Sequence, residues 1–307
     1  MTTAADRSSQ RIQGADGALI DMWVYRAAAR GGAMTPAPAV VMAHGIGGVK
    51  AAGLDPFARA FAAAGHTCFV FDYRHWGASG GEPREVLSVP AQLADYRTVL
   101  QHARTAEGVD PERVFVWGTS FAGMHVVELA ASEPYLAGAI AQCPLVDGLA
   151  GLLNVPPARG LRLMRQALLD RVGATRGAEP RYLPLIVGEG EFGVIATEDA
   201  LLGQERLAPI DGSPWPNRIT ARSLLDVTFS RPVRRAGRAQ CPMLLVVAED
   251  DTMAPTAPAV RAAARAPRGE LYRSRGGHYD VYAGGTDHDN VLAVELAFLE
   301  RVGAQRV

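Results

Sequence analysis

Cysteine is scarce: three residues in 307, Cys68, Cys143 and Cys241, stand far apart and without C-x-x-C spacing. That excludes a disulfide framework or a cysteine-built zinc site and predicts three buried, reduced thiols. Neither sign of charge is in excess, because 31 Lys plus Arg face 32 Asp plus Glu for a formal −1. Nothing in this balance favours a nucleic acid or an anionic membrane as partner, and the substrate is not expected to be a polyanion. No apolar run approaches the roughly 20 residues that cross a bilayer. The first ten residues, Met1 to Gln10, hold no apolar stretch fit for a signal peptide, so a cytoplasmic protein without membrane insertion is expected. No internal repeat is visible. The glycine-rich turn His44-Gly45-Ile46-Gly47-Gly48 lacks the P-loop lysine and the dinucleotide spacing, so neither cofactor nor metal is expected.

What the chain does have is length for one large α/β domain with an insertion, or for two smaller domains. Residues 12–26 alternate around Gly14 and Gly17, which predicts an antiparallel hairpin at a sheet edge, with Leu19, Asp21, Trp23 and Tyr25 on one face. A turn-rich connector, Arg30 to Pro38, leads to the apolar run 39–43, the pattern of a strand covered on both faces. Asp55 as cap and Pro56 at the first helical position open a helix with Phe57 and Phe61 on one side, stopped by Gly65. A buried strand at 68–72, a helix at 90–106, a turn at 110–113, a strand from Val114, a helix at 122–132 and a strand at 138–142 follow. This alternation predicts a mostly parallel sheet with helices on both faces. The rhythm breaks at residues 145–239, predicted to be a cap inserted between a first core part, 1–144, and a second, 240–307. It resumes with a strand at 243–248, a helix at 256–266, a short strand at 270–273 and a last helix at 288–302 whose inward stripe is Val291, Val294, Phe298 and Val302.

The stretch 114–123 reads as strand, sharp turn and first helical turn, with Ser120 at the apex. A serine hydroxyl is a poor nucleophile at neutral pH and must be lifted clear of its neighbours to meet both a base and a substrate carbonyl, which such a turn does. Gly118, Ala122 and Gly123 are small enough for close packing beneath it. A serine that merely satisfies a backbone group at a helix start is the structural alternative.

Here the chain resembles the α/β-hydrolase family, whose nucleophile elbow is G-x-S-x-G; Ala122 stands at the last glycine of that pattern. The resemblance implies an α/β-hydrolase fold, a base on the loop after the last strand, which is His278, and an acid after the seventh core strand. Asp251 fits the family's acid loop, with Asp250 as its rival. It also implies an oxyanion hole from the N–H groups of Phe121 and Ile46, and a packing role for His44. The loop after the 68–72 strand, with His75 and Trp76 as candidate pocket residues, matches the same family. So does Gly277-His278-Tyr279-Asp280-Val281-Tyr282, a pattern of bacterial and fungal esterases, thioesterase-like hydrolases and polyketide acyl transferases. The implied activity is a serine hydrolase with a Ser120–His278–Asp251 triad that cleaves a small-molecule carboxylic ester, thioester or lactone through an acyl-serine intermediate. An acyltransferase and a non-catalytic binding protein on the same fold are the alternatives. In the cap, Leu152, Leu153, Leu161, Leu163, Met164, Leu185 and Ile186 either line an acyl channel or pack internally. Arg159, Arg162 and Arg165 read as a solvated helix face rather than as ligands of a substrate carboxylate.

Overall fold

The computed structural model describes residues 7–28 and 35–304. Residues 1–6 and the first part of the expected connector, Arg30 to Met34, lie outside the described residues. Strands β1 (Arg7–Gln13) and β2 (Leu19–Tyr25) form the edge hairpin expected over residues 12–26, but its first strand begins five residues earlier, at Arg7; they pair antiparallel from Arg7 against Tyr25 to Gln13 against Leu19. After it come β3 (Ala37–Ala43), α1 (Asp55–Ala63), β4 (Thr67–Phe71), α2 (Val89–Thr105), β5 (Val109–Thr119), α3 (Phe121–Ser132) and β6 (Gly138–Gln142). The chain then leaves the sheet to build α4 (Gly148–Leu153), α5 (Pro157–Ala174), β7 (Tyr182–Pro184), α6 (Ala200–Arg206), β8 (Arg218–Thr220) and α7 (Ser223–Phe229). It returns as β9 (Met243–Ala248), α8 (Thr256–Arg265), β10 (Gly269–Ser274) and α9 (His288–Gly303). The eight-stranded sheet runs β1-β2-β4-β3-β5-β6-β9-β10; β2 pairs antiparallel with both β1 and β4, and every pairing from β4 to β10 is parallel.

Parallel strands covered on both faces must be apolar at successive positions, and β3 shows the consequence. Val41 joins Phe69, Phe71, Tyr96 and Leu100 in the core under α2 and α3. Val40 and Met42 join Phe57, Phe61, Phe115, Trp117 and Phe298 in the core under α1 and α9. The three cysteines are free and buried. Among the described residues no helix is long and apolar enough to cross a membrane.

Two local expectations are corrected. Asp55 is not the cap of α1: Leu54 holds that place without a side-chain bond. The Asp55 carboxylate instead accepts the Tyr25 hydroxyl at 2.6 Å and the Arg59 guanidinium at 2.6 Å, tying the helix to the edge hairpin. The turn at 110–113 is not a separate connection but lies within β5, where the register jumps from Ala37 opposite Val109 to Ala39 opposite Val114. Asp110 closes this bulge by accepting the Glu112 N–H at 3.0 Å.

The segment between β6 and β9 has its own small core of Leu163, Ala167, Leu183, Ala221 and Leu224. Asp170, buried, accepts the N–H groups of Arg181 and Arg222 at 2.9 and 2.8 Å. Arg231 grips Asp147 with two bonds of 2.8 Å where the segment leaves and rejoins the sheet.

Candidate active site

The carboxyl ends of the parallel strands carry the loops that matter, the position at which ligands collect in open α/β sheets. Ser120 sits between β5 and α3 at φ 55° and ψ −118°, a conformation that L-residues avoid. Neighbouring backbone holds it there. Its N–H donates to the Gln142 carbonyl at 2.8 Å, and its own carbonyl accepts from Gly123 and Leu145 at 3.0 and 3.1 Å. A methyl on Gly118 would lie 2.7 Å from the Ala122 carbonyl oxygen, and one on Gly123 would lie 2.4 Å from Pro144 Cβ. The buried Ala122 methyl has room. The position that must be glycine is thus one residue beyond the familiar pattern.

His278 stands on the loop after β10, bent by Gly276 at φ 80°, where a Cβ would strike the Asp280 carboxylate at 2.5 Å. Asp280 pins the bend by accepting the Gly277 N–H at 2.9 Å, and Asp287 accepts the Arg275 N–H at 3.0 Å. The imidazole is buried with Nε2 3.1 Å from Ser120 Oγ and Nδ1 2.7 Å from Asp251 Oδ2. The carboxylate contact fixes the tautomer: Nδ1–H donates to Asp251, and the serine hydroxyl donates to Nε2. Asp251 Oδ1 accepts the N–H groups of Met253 and Ala254 at 2.9 and 2.7 Å, so both carboxylate oxygens are engaged. Asp250 is exposed and makes no contact with the imidazole among the described residues. Burial pushes the His278 pKa down, but Asp251 outweighs it and holds it well above the ordinary 6.5. Behind the row, Thr119 Oγ1 meets the Tyr282 hydroxyl at 2.5 Å and accepts the Gln142 amide at 3.0 Å, while Cys143 Sγ lies 3.9 Å from Nε2.

The turn 44–48 after β3 faces the elbow, and a Cβ on Gly45 would sit 3.0 Å from Ser120 Cβ. Neither the Ile46 nor the Phe121 N–H donates to a carbonyl or side chain among the described residues. Lys50 braces the far end of the turn: its N–H donates to Asp72 Oδ1 at 2.6 Å, and its ammonium meets Asp72 and Asp21 at 2.7 and 2.8 Å. Burial lowers the Lys50 pKa, and the two carboxylates more than restore it. His44 is buried with Nδ1 3.0 Å from the Gly45 carbonyl, and burial lowers its pKa, as suits a packing histidine. Two contacts that sequence reasoning missed come from the long segment. The Trp215 indole donates to the Gly47 carbonyl at 2.6 Å, and Leu185 packs so closely that a Cβ on Gly47 would lie 2.1 Å from it.

Ser120, Phe121, Ile46 and His278 open onto a cavity of about 460 Å3. Leu145, Leu152, Leu163, Met164, Leu224 and Val227 give it apolar walls. Leu153 and Leu161 face solvent instead, 77% and 75% exposed. Arg162 lies over the Phe192 ring at 3.7 Å and Arg165 is exposed, but Arg159 turns to the cavity, a correction to the solvated face expected for all three. The pocket roles expected for His75 and Trp76 are corrected too, since neither borders the cavity. Trp76 is 2% exposed, its indole donating to the Val86 carbonyl at 2.9 Å, and the loop folds back so that the His75 N–H meets the Gly80 carbonyl at 2.7 Å. His125 is buried against Gln92 at 2.9 Å, its pKa pushed down to about 3 by burial. His102 Nε2 lies 3.1 Å from the Gln10 side chain, and His288 begins α9.

The sheet order, the strained serine at the head of α3 and the histidine after the last strand define an α/β-hydrolase. The chain belongs to the α/β-hydrolase family of serine hydrolases and is an enzyme of hydrolase type. The family model described as serine aminopeptidase, S33, matches residues 34–184. Among individual proteins, the quorum-quenching protein AidA of Acinetobacter baumannii is 38% identical over 265 residues, 86% of each chain. The polyketide transferase grgF of Penicillium sp is 29% identical over 96% of each chain. Its crystal structure superposes with a TM-score of 0.83, covering 98% of this chain and all of that one. A thiohydrolase of Eupenicillium brefeldianum is 26% identical, over 82% of this chain and 80% of its own.

Proposed function

We propose that the protein cleaves a small-molecule carboxylic ester, thioester or lactone through an acyl-Ser120 intermediate. The observation that carries this reading is the row Ser120 Oγ, His278 Nε2, His278 Nδ1, Asp251 Oδ2, with spacings of 3.1 and 2.7 Å, opening onto an apolar cavity. His278 takes the hydroxyl proton as Oγ attacks the substrate carbonyl, and Asp251 stabilises the imidazolium. The N–H groups of Ile46 and Phe121 receive the oxyanion, and the α3 N-terminus adds its dipole from below. Nε2 then gives its proton to the leaving alcohol, thiol or ring oxygen. Water, deprotonated by the same imidazole, attacks the acyl-serine, releasing the acid and restoring Ser120. Residues 145–239 serve as the cap over the acyl group.

Kinship with grgF, named a polyketide transferase, favours one second reading, in which an alcohol or amine replaces water in the last step. A fluorophosphonate probe should label the wild type and leave Ser120→Ala unlabelled. An unlabelled wild type would overturn catalysis and leave a binding protein on this fold. A panel of acyl 4-nitrophenyl esters, lactones and acyl thioesters, run with and without an added hydroxyl acceptor, separates hydrolysis from transfer by its products.

A further inference from the structure

Among the described residues, Arg159 is the one arginine or lysine on the wall of a cavity otherwise dominated by aliphatic side chains. Half-buried in the first turn of α5, it donates from Nε and Nη2 to the Gly193 carbonyl, both at 3.1 Å, and from Nη2 to the Val194 carbonyl at 3.2 Å. Those three bonds fix the plane of the guanidinium. Among the described residues none of its hydrogen bonds uses Nη1, and no carboxylate comes within 4 Å to form an ion pair. Glu189 and Glu191 border the same cavity but are exposed, and Glu191 is engaged with the Gly188 N–H at 3.0 Å. The pKa of Arg159 is lowered by burial alone, with no acid nearby to offset it. A half-buried cation held by carbonyls is only partly compensated, and an anion that completes its hydrogen bonds gains more there than at a solvated arginine.

We propose that Arg159 determines specificity by binding, through Nη1, a carboxylate carried at the far end of the acyl group, so that the preferred substrates are esters or thioesters of dicarboxylic acids. The proposal rests on the hydrolase reading above and adds the substrate class. The aliphatic walls take the methylene chain, and the guanidinium, fixed relative to Ser120, reads where the chain ends. A single negative charge also agrees with the near-neutral balance of the chain.

The test compares 4-nitrophenyl hemiesters of the linear diacids from glutaric to sebacic with neutral 4-nitrophenyl esters of equal chain length. In the wild type, the ratio of kcat/KM for hemiester over neutral ester should peak at one chain length. Arg159→Gln should collapse that ratio by about tenfold or more, chiefly through KM. Arg159→Lys, which keeps the charge, should retain part of it. A ratio unmoved by Arg159→Gln, including a parallel fall for both ester types, means that the side chain only clamps the 193–194 turn and overturns the proposal. A second arm needs no turnover: octanedioate is titrated calorimetrically into Ser120→Ala protein with and without Arg159→Gln. Affinity should fall about tenfold in the double variant, and unchanged affinity overturns the proposal even if esters are hydrolysed. Absence of ester turnover with Arg159-dependent octanedioate binding would instead overturn the hydrolase reading and leave the carboxylate site standing.

Discussion

Asp251 and Asp250 are neighbours in sequence with opposite surroundings. The first has both oxygens engaged, one by His278 and one by two backbone N–H groups, while the second faces solvent. The base works only when neutral, so the acidic limb of kcat/KM should follow loss of the His278 proton. Burial lowers that pKa and Asp251 raises it further, so the limb should lie above the ordinary 6.5, with activity lost as pH falls through it. Asp251→Asn should cut kcat by about 10^3 to 10^4 and move the limb to lower pH, whereas Asp250→Asn should stay within about twofold. A pH profile of each variant between acidic and mildly alkaline buffer decides it, and the reverse ranking would move the acid by one residue. The serine was legible as the apex of a strand, turn and helix, and the late histidine because the α/β-hydrolase resemblance places the base on the loop after the last strand. For the acid, the family's acid-loop register selected Asp251, which is the carboxylate that meets His278, but Asp250 stayed a rival because a one-residue shift in a turn leaves no periodic signature. Arg159 was obscure for a related reason: three arginines at helical spacing read as one polar face until Phe192 and Gly193 draw two of them to different partners.

At the scale of elements, the 44–48 turn depends on parts of the chain distant in sequence. Lys50 fastens it to β2 and to Asp72 just past β4 from one side, and Trp215 fastens Gly47 from the other. Preorganised N–H donors stabilise an oxyanion only if their positions survive the reaction without rearrangement, so a loosened turn should slow chemistry more than binding. Trp215→Phe keeps most of the ring packing and removes the 2.6 Å bond to the Gly47 carbonyl. We expect kcat to fall about three- to tenfold with KM nearly unchanged, the size of one neutral hydrogen bond. Stopped-flow acylation with an activated ester checks it, and a rise in KM alone would show that Trp215 serves the pocket instead. The strand and helix alternation of the core was readable because parallel strands must be apolar throughout and amphipathic helices must keep one stripe. The segment between β6 and β9 carried no such period, since its side chains answer to surfaces already built by the sheet, the turn at 44–48 among them. Nothing in the residues around Trp215 therefore pointed to the Gly47 carbonyl as its partner. Trp76 and His75 misled in the opposite sense, because their loop matches the one the family carries after that strand and so suggested a pocket wall, while the Val86 carbonyl drew the indole inward.

Across the whole molecule, one buried acid links the last helix to the nucleophile strand. The stripe expected on α9 faces inward with Val291, Phe298 and Val302 buried and Val294 only partly so, but Glu295 lies in the same stripe and is fully buried. Its Oε2 accepts the Trp117 indole N–H at 3.0 Å, three residues before Ser120, while Oε1 is buried and has no hydrogen-bond partner among the described residues. Sequence patterning assigns a glutamate in a helix to the surface, because burying the ion without a cation is prohibitive. The protein meets that cost by keeping the carboxyl protonated, its pKa pushed up to about 8 by burial against the lesser pull of the indole. The consequence for stability follows by linkage. The unfolded chain releases this proton near pH 4.5 and the folded chain only near 8, so the contribution is fully present below 4.5, shrinks as pH rises through this window and is gone above about 8. Glu295→Gln keeps an oxygen for Trp117 and removes the ionisation. Urea unfolding should therefore find the wild type losing on the order of 4 kcal/mol relative to Glu295→Gln between mildly acidic buffer and pH 8 or above. Comparing the two proteins at each pH cancels every other titrating group, His278 included. Parallel curves would mean that the buried carboxylate has found a counter-charge or water on ionising, and a wild type that gained on the variant with rising pH would reverse the direction of the shift and place the charged form in the fold.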